Sequence, residues 1–166
     1  KIIGNHAFSE RRLTRQFALT TSQFWSFITK EDQYSKEKLD SDLENLKSFY
    51  LDQGYINFKI DSTQVSITPD RKQVYIVLHI TEGPQFTLKG FNLTGQLVVP
   101  KEALRALIAP LLVEGEVFSR QKVTQATRIL GDYLGDYGYS LAVIRPIPEI
   151  DEEKQQVNME FVVEQG

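Results

Sequence analysis

The chain has 166 residues, and its 41% hydrophobic content is enough for a packed core in one large domain or two small ones. Its 19 basic residues against 22 acidic ones leave a net charge of −3, so there is no basic footprint for phosphates and nucleic acid is disfavoured. It contains no cysteine, which excludes a disulfide framework and thiol chemistry, and no run of about 18 apolar residues that could span a bilayer as a helix.

Lys1–Ile3 reads as the end of a strand that stops at Gly4. The chain therefore reads as a fragment cut within a longer protein, with any targeting segment upstream. Ser9 can cap a short helix over Glu10–Phe17. A longer helix follows Ser35, itself a plausible cap, because Leu39, Leu43, Leu46 and Tyr50 recur at helical spacing. Gly54 stands where a helix end requires positive φ, and Tyr55 after it can pack back. Two strands then form a hairpin, Asn57–Ile67 and the Val74–Ile80 alternation, with Pro69-Asp70 as turn chemistry.

The same order then recurs. A strand over Phe86–Thr94 ends at Gly95, Pro100 suits the first turn of a helix over Lys101–Ile108, and Ser119 precedes a longer helix. Val123, Ile129, Leu130 and Leu134 are its expected buried stripe, Gly138 its terminator, and Asp151-Glu152 a hairpin tip. The register is explicit: Gly54-Tyr55 and Gly138-Tyr139 lie 84 apart, Val74, Ile76, Leu78 and Ile80 precede Val157, Met159, Phe161 and Val163 by 83, and Gly4 precedes Gly95 by 91. The first copy thus carries about seven extra residues between its helices. Chance similarity would not hold one register across a helix, a turn and two strands.

The expected fold class is α+β: two tandem βααββ domains, residues 1–84 and 85–166, each a three-stranded mixed sheet covered on one face by two antiparallel helices. The alternating last strand of each copy is expected at the sheet centre, which leaves the strand before it at an edge. Thr81–Gln85 joins the copies without a flexible linker, and both chain ends fall at repeat boundaries, so further copies are expected to flank this fragment.

Chemistry is sparse. There are two histidines, His6 and His79, and without cysteine a zinc site would need several carboxylates brought to one of them. Phosphate loops and nucleophile elbows are missing. The acidic run Glu149–Glu153 sits at a hairpin tip and reads as a solvated turn. The repeat positions are apolar, glycine or helix-capping, which marks folding residues and not an active site. No catalytic residue, metal or cofactor is expected.

The two edge strands differ. Pro146 and Pro148 remove two amide donors from one strand edge of the second copy, a guard against unwanted pairing. The matching strand of the first copy has no proline, so its edge could accept a partner strand by β-augmentation. That strand changes phase: Phe58 and Ile60 share one parity, Val65 and Ile67 the other. A bulge near Ser62–Gln64 would turn all four to the core; without one, Val65 and Ile67 are exposed. Phe24–Ile28, in the extra segment, reads as a cap over its own domain, with a docking site as the rival reading.

The runs Gly4-Asn5-His6-Ala7-Phe8, Tyr50-Leu51-Asp52-Gln53-Gly54-Tyr55, Ile60-Asp61-Ser62-Thr63-Gln64-Val65 and Ile80-Thr81-Glu82-Gly83 resemble the BamA family of outer-membrane barrel-assembly factors, at the third and fourth of five periplasmic POTRA domains. In the second copy the resemblance rests on Gly95, Lys122-Val123-Thr124, Tyr137-Gly138-Tyr139 and Pro148-Glu149-Ile150. It implies a soluble, non-catalytic periplasmic scaffold within a protein embedded in the outer membrane. Its partners would be unfolded outer-membrane protein clients, periplasmic chaperones, a BamB-type propeller lipoprotein and other assembly lipoproteins. The implied protein-binding residues are Leu19 and Thr20 after the first helix, with Asp61, Ser62, Thr63, Gln64, Val65 and Ile67 on the edge strand. Thr20 departs from the basic residue that the resemblance implies there. The rival readings are a related POTRA transporter of a secretion system and, further off, a nucleic-acid module.

Overall fold

The computed structural model describes residues 1–17, 33–67, 69–70 and 74–164. The chain divides into two compact units, one of Lys1–Leu51 with Tyr55–Gly83, the other of Asp52–Gly54 with Pro84–Gly166.

In the first unit the order is β1 (Ile2–Ile3), α1 (Glu10–Thr14), α2 (Gln33–Asp52), β2 (Lys59–Ile67) and β3 (Val74–Thr81). The sheet order is β1-β3-β2, with β1 parallel and β2 antiparallel to the central β3. The strand that alternates most cleanly in sequence is the central one, as expected. The Ser9 side chain accepts from the Arg12 amide and starts α1. That helix stops at Thr14, short of the expected Phe17, because the Gln16 and Phe17 amides bond only three residues back, to Leu13 and Thr14. The cap expected at Ser35 is also corrected. The helix begins at Gln33, which puts Ser35 inside its first turn, and no glycine or proline lies between Asn5 and Gln53 to force a later start.

The apolar stripe of α2 buries Leu39, Leu46 and Tyr50. Leu46 and Tyr50 join Ile2, Leu13, Phe58, Leu78 and Ile80 in one core. Tyr50 stacks on Phe58 at 4.1 Å, and Phe8 meets Phe49, Tyr50 and Tyr55 edge-on. Arg12 lies 4.9 Å over the Phe8 ring, so its guanidinium covers this cluster from outside. At the far end of β1, Gly4 has φ +101, and a Cβ there would collide with the Ile80 carbonyl oxygen. Gly95 repeats both features against Val163, which explains why the turn after the first strand is glycine in both copies.

The second unit contains β4 (Thr87–Gly95), α3 (Lys101–Ile108), α4 (Arg120–Asp136), β5 (Val143–Asp151) and β6 (Gln156–Glu164). Its sheet order β4-β6-β5 repeats the first, parallel then antiparallel about the centre. Pro100 precedes α3, and its carbonyl accepts from the Ala103 and Leu104 amides. Ser119 caps α4 by accepting from the Lys122 amide, as expected. The buried stripe of α4 is Val123, Ala126, Leu130 and Leu134; Ile129 is 37% exposed. The expectation for Ile129 was wrong because it lies about 100° around the helix from Leu130, and Ala126 takes its place. Both long helices end alike: Tyr55 donates to the Tyr50 carbonyl and Tyr139 to the Leu134 carbonyl, each at 2.9 Å, past a glycine of positive φ. At the β5–β6 turn the Lys154 amide donates to the Asp151 carboxylate at 3.0 Å, which assigns that carboxylate to turn formation.

Candidate strand-binding edge

The outer edge of β2 is defined by where its neighbours spend their backbone groups. On β3, the Leu78 amide donates to the Lys1 carbonyl at 2.9 Å, and the Ile76 carbonyl accepts from the Lys1 nitrogen at 2.6 Å. Ile76 and Leu78 therefore direct their amides and carbonyls toward β1. Their antiparallel partners on β2 are Val65 and Thr63, which must be non-hydrogen-bonded pairs. Thr63 and Val65 consequently turn N–H and C=O outward, away from the sheet.

The phase change in β2 is resolved by a bulge, as one of the two sequence readings required. It falls at Asp61 and not within Ser62–Gln64: Ile60 pairs with Ile80 and Ser62 with the very next residue of β3, His79. Asp61 is the extra residue. Its carboxylate accepts from the Thr81 hydroxyl and lies 3.9 Å from the Lys59 ammonium. After the slip, Thr63 faces the buried Leu78 and Val65 faces Ile76, so both sit on the helix-covered side of the sheet. Val65 is nonetheless 37% exposed. The bulge reading therefore holds for Val65, and the rival reading, in which it points away from the helices, does not; its place at the edge still leaves it partly exposed. Ile67 pairs with Val74 at the end of the strand.

The equivalent edge of β5 is closed chemically. The Gln96 amide donates to the Val163 carbonyl at 2.8 Å, so Val163, and with it Phe161 and Met159, faces β4. Pro146 and Pro148 lie opposite Phe161 and Met159, at outward-facing positions where a missing N–H does not interrupt the ladder. Phe161 and Met159 correspond to Leu78 and Ile76 in the repeat. Thr63 and Val65 thus occupy, in the first copy, the places of Pro146 and Pro148 in the second.

Of the residues singled out from sequence, the structure gathers Asp61, Ser62, Thr63, Gln64, Val65 and Ile67 on this one edge. Leu19, Thr20 and Phe24–Ile28 lie outside the described residues. His6 is exposed, and among the described residues no three His, Cys, Asp or Glu side chains converge on a possible metal position.

One polar centre escaped the sequence reading. Glu82 is 8% exposed, and its carboxylate accepts from the His6 amide at 3.0 Å, the Ala7 amide at 3.1 Å and the Tyr50 hydroxyl at 2.8 Å. It ties the turn after β1 and the end of α2 to the end of β3. Burial, then the hydrogen bond to Glu82, raises the Tyr50 phenol far above the ordinary tyrosine range. Tyr55 is raised too, by burial and then by the same carboxylate. The only sequence sign of this centre was a Glu before the boundary glycine.

Two units with identical strand order, each reading βααββ among the described residues, define the class: a tandem α+β repeat protein. A family model described as "POTRA: Surface antigen variable number repeat" matches residues 1–83 and again 86–166, and the chain belongs to that family. It is 29% identical over 164 residues to the outer membrane protein assembly factor BamA of Buchnera aphidicola, covering 99% of this chain and 26% of that protein. To BamA of Neisseria meningitidis it is 28% identical over 98% of this chain and 20% of the relative. The chain therefore spans about a fifth to a quarter of the length of these curated relatives. In fold it is similar to the crystal structure of Haemophilus influenzae BamA POTRA3-5, with a TM-score of 0.74 at 22% identity, covering 100% of this chain and 64% of that one.

Proposed function

We propose that this chain is a non-catalytic, periplasmic protein-binding scaffold of an outer-membrane protein assembly machinery, and that the outer edge of β2 is where it receives strands of unfolded β-barrel clients. The observation that carries the reading is the outward backbone of Thr63 and Val65 at positions where the second copy has prolines. An open edge supplies main-chain hydrogen bonds to any extended segment, so it suits clients of many sequences. The similarity to assembly factors supports the compartment and the process. Asp61, Val65 and Ile67 on β2, together with Leu19 and Thr20, which lie outside the described residues, are proposed to dock a BamB-type propeller lipoprotein, with chaperones delivering clients to the arm.

The test is an amide-resolved NMR titration of the isotope-labelled chain with a peptide from an outer-membrane barrel strand, and separately with a BamB-type propeller. Shifts centred on Thr63 and Val65 are expected. Perturbations confined to the second unit, or none at saturating peptide, would overturn the assignment of the edge.

A further inference from the structure

We propose that the β2 edge selects strands by face: it prefers an extended segment whose apolar side chains recur at every second position over one of equal composition whose apolar residues are consecutive. This inference rests on the reading of β2 as a strand-receiving edge and goes beyond it, since backbone pairing alone is indifferent to side-chain pattern.

A strand added outside β2 places its own side chains alternately on the two faces of the sheet, each beside the β2 residue it pairs with. On the helix-covered face those neighbours are Thr63 and Val65, which offer a methyl group and a partly exposed isopropyl group backed by Leu78 and Ile76. On the opposite face they are Ser62, Gln64 and Ser66, all exposed and all polar. The edge therefore presents an apolar strip on one face and a polar strip on the other. The bulge at Asp61 creates this separation. Without the one-residue slip, Thr63 and Val65 would fall on the uncovered face and Ser62 and Gln64 on the covered one. The bulge also bounds the straight run at one end, and the turn at Pro69-Asp70 bounds it at the other. An incoming segment meets Thr63 and Val65 with two residues of like face and has one residue between them over Gln64. An alternating segment satisfies all three places at once. A block of consecutive apolar residues must set at least one against the polar strip.

The experiment measures binding of two peptides of about nine residues, identical in composition, one alternating and one blocked. The full chain is titrated by fluorescence anisotropy, together with its Val65→Ser, Val65→Pro and Thr63→Pro variants. The wild type should bind the alternating peptide about fivefold more tightly, as expected for one or two added cross-strand apolar pairs. Val65→Ser should bring the two affinities within about twofold while leaving binding detectable. Each proline variant should weaken both peptides, because it deletes an outward donor at a site where the second copy already tolerates proline. Equal wild-type affinities, or a preference that survives Val65→Ser, would overturn face selection and leave the edge reading intact provided the proline variants still bind weakly. If both folded proline variants bind like the wild type, the edge reading itself fails and the face selection with it.

Discussion

Glu82 shows how much a single buried acceptor can hold. Its carboxylate receives two adjacent main-chain amides and a phenol, contributed by two separated parts of the first unit. Glu82→Ala would leave those donors unsatisfied in a buried setting, and a loss of about 2–4 kcal/mol in the urea unfolding free energy of that unit is expected. Tyr50→Phe removes one donor and leaves the carboxylate with its amides, so about 1–2 kcal/mol is expected. The raised Tyr50 phenol also has a pH consequence. The unfolded chain ionises this tyrosine near its ordinary value of 10.0, while the folded chain keeps it protonated. Its contribution to stability is therefore constant below that pH and is lost progressively above it. Urea midpoints followed through the alkaline range should fall from about pH 10 upward, less steeply in Tyr50→Phe, with Tyr55 supplying part of the remaining slope. A Glu82→Ala chain as stable as the wild type would contradict this account. None of this was legible in the sequence. The donors lie more than 30 and more than 70 residues from Glu82 along the chain, and nothing local marks a glutamate that the fold will bury.

At the scale of elements, β2 and β5 are the same strand with opposite edges. Proline's lack of an N–H is covalent, so the closure of β5 could be read directly from Pro146 and Pro148. The structure adds that both prolines fall at outward positions of an unbroken ladder. Replacing them by the residues of the first copy, Pro146→Thr with Pro148→Val, restores two donors to an exposed edge. Self-association of the variant in sedimentation velocity is expected to rise with concentration relative to the wild type; an unaltered monomer distribution would show that the prolines do not guard this edge. The face of Val65 was less legible. Parity indicated that the phase must change somewhere between Ile60 and Val65, but a bulge is settled by which residue pairs across the ladder, and that is a property of two strands. The slip fell at Asp61, whose carboxylate finds the Thr81 hydroxyl on β3. The missed Ile129 has a similar origin. An apolar residue beside a helical stripe joins it only if the packing partner reaches that far around the helix, and Ala126 sits nearer the centre.

For the whole molecule, the contrast between the β2 edge, open among the described residues, and the proline-blocked β5 edge sets an expected stoichiometry. Isothermal titration with an alternating barrel-strand peptide should give one site per chain for the wild type. The double variant Pro146→Thr, Pro148→Val should give two, provided it is held dilute enough to remain monomeric, and Val65→Pro should keep one site of weakened affinity. A second site in the wild type would mean that recognition does not follow the prolines. The duplication, the order of elements, the central position of the alternating strands and the glycines at the two kinds of turn were all determined by sequence alone. They arise from local rules: periodicity, capping, positive φ and the missing proline donor. The tertiary structure alone decided which face Val65 occupies, which amides point outward and where a buried glutamate finds its donors. Each of those depends on pairing or burial between segments far apart in the chain, and no local run of residues encodes a partner that folding has yet to bring beside it.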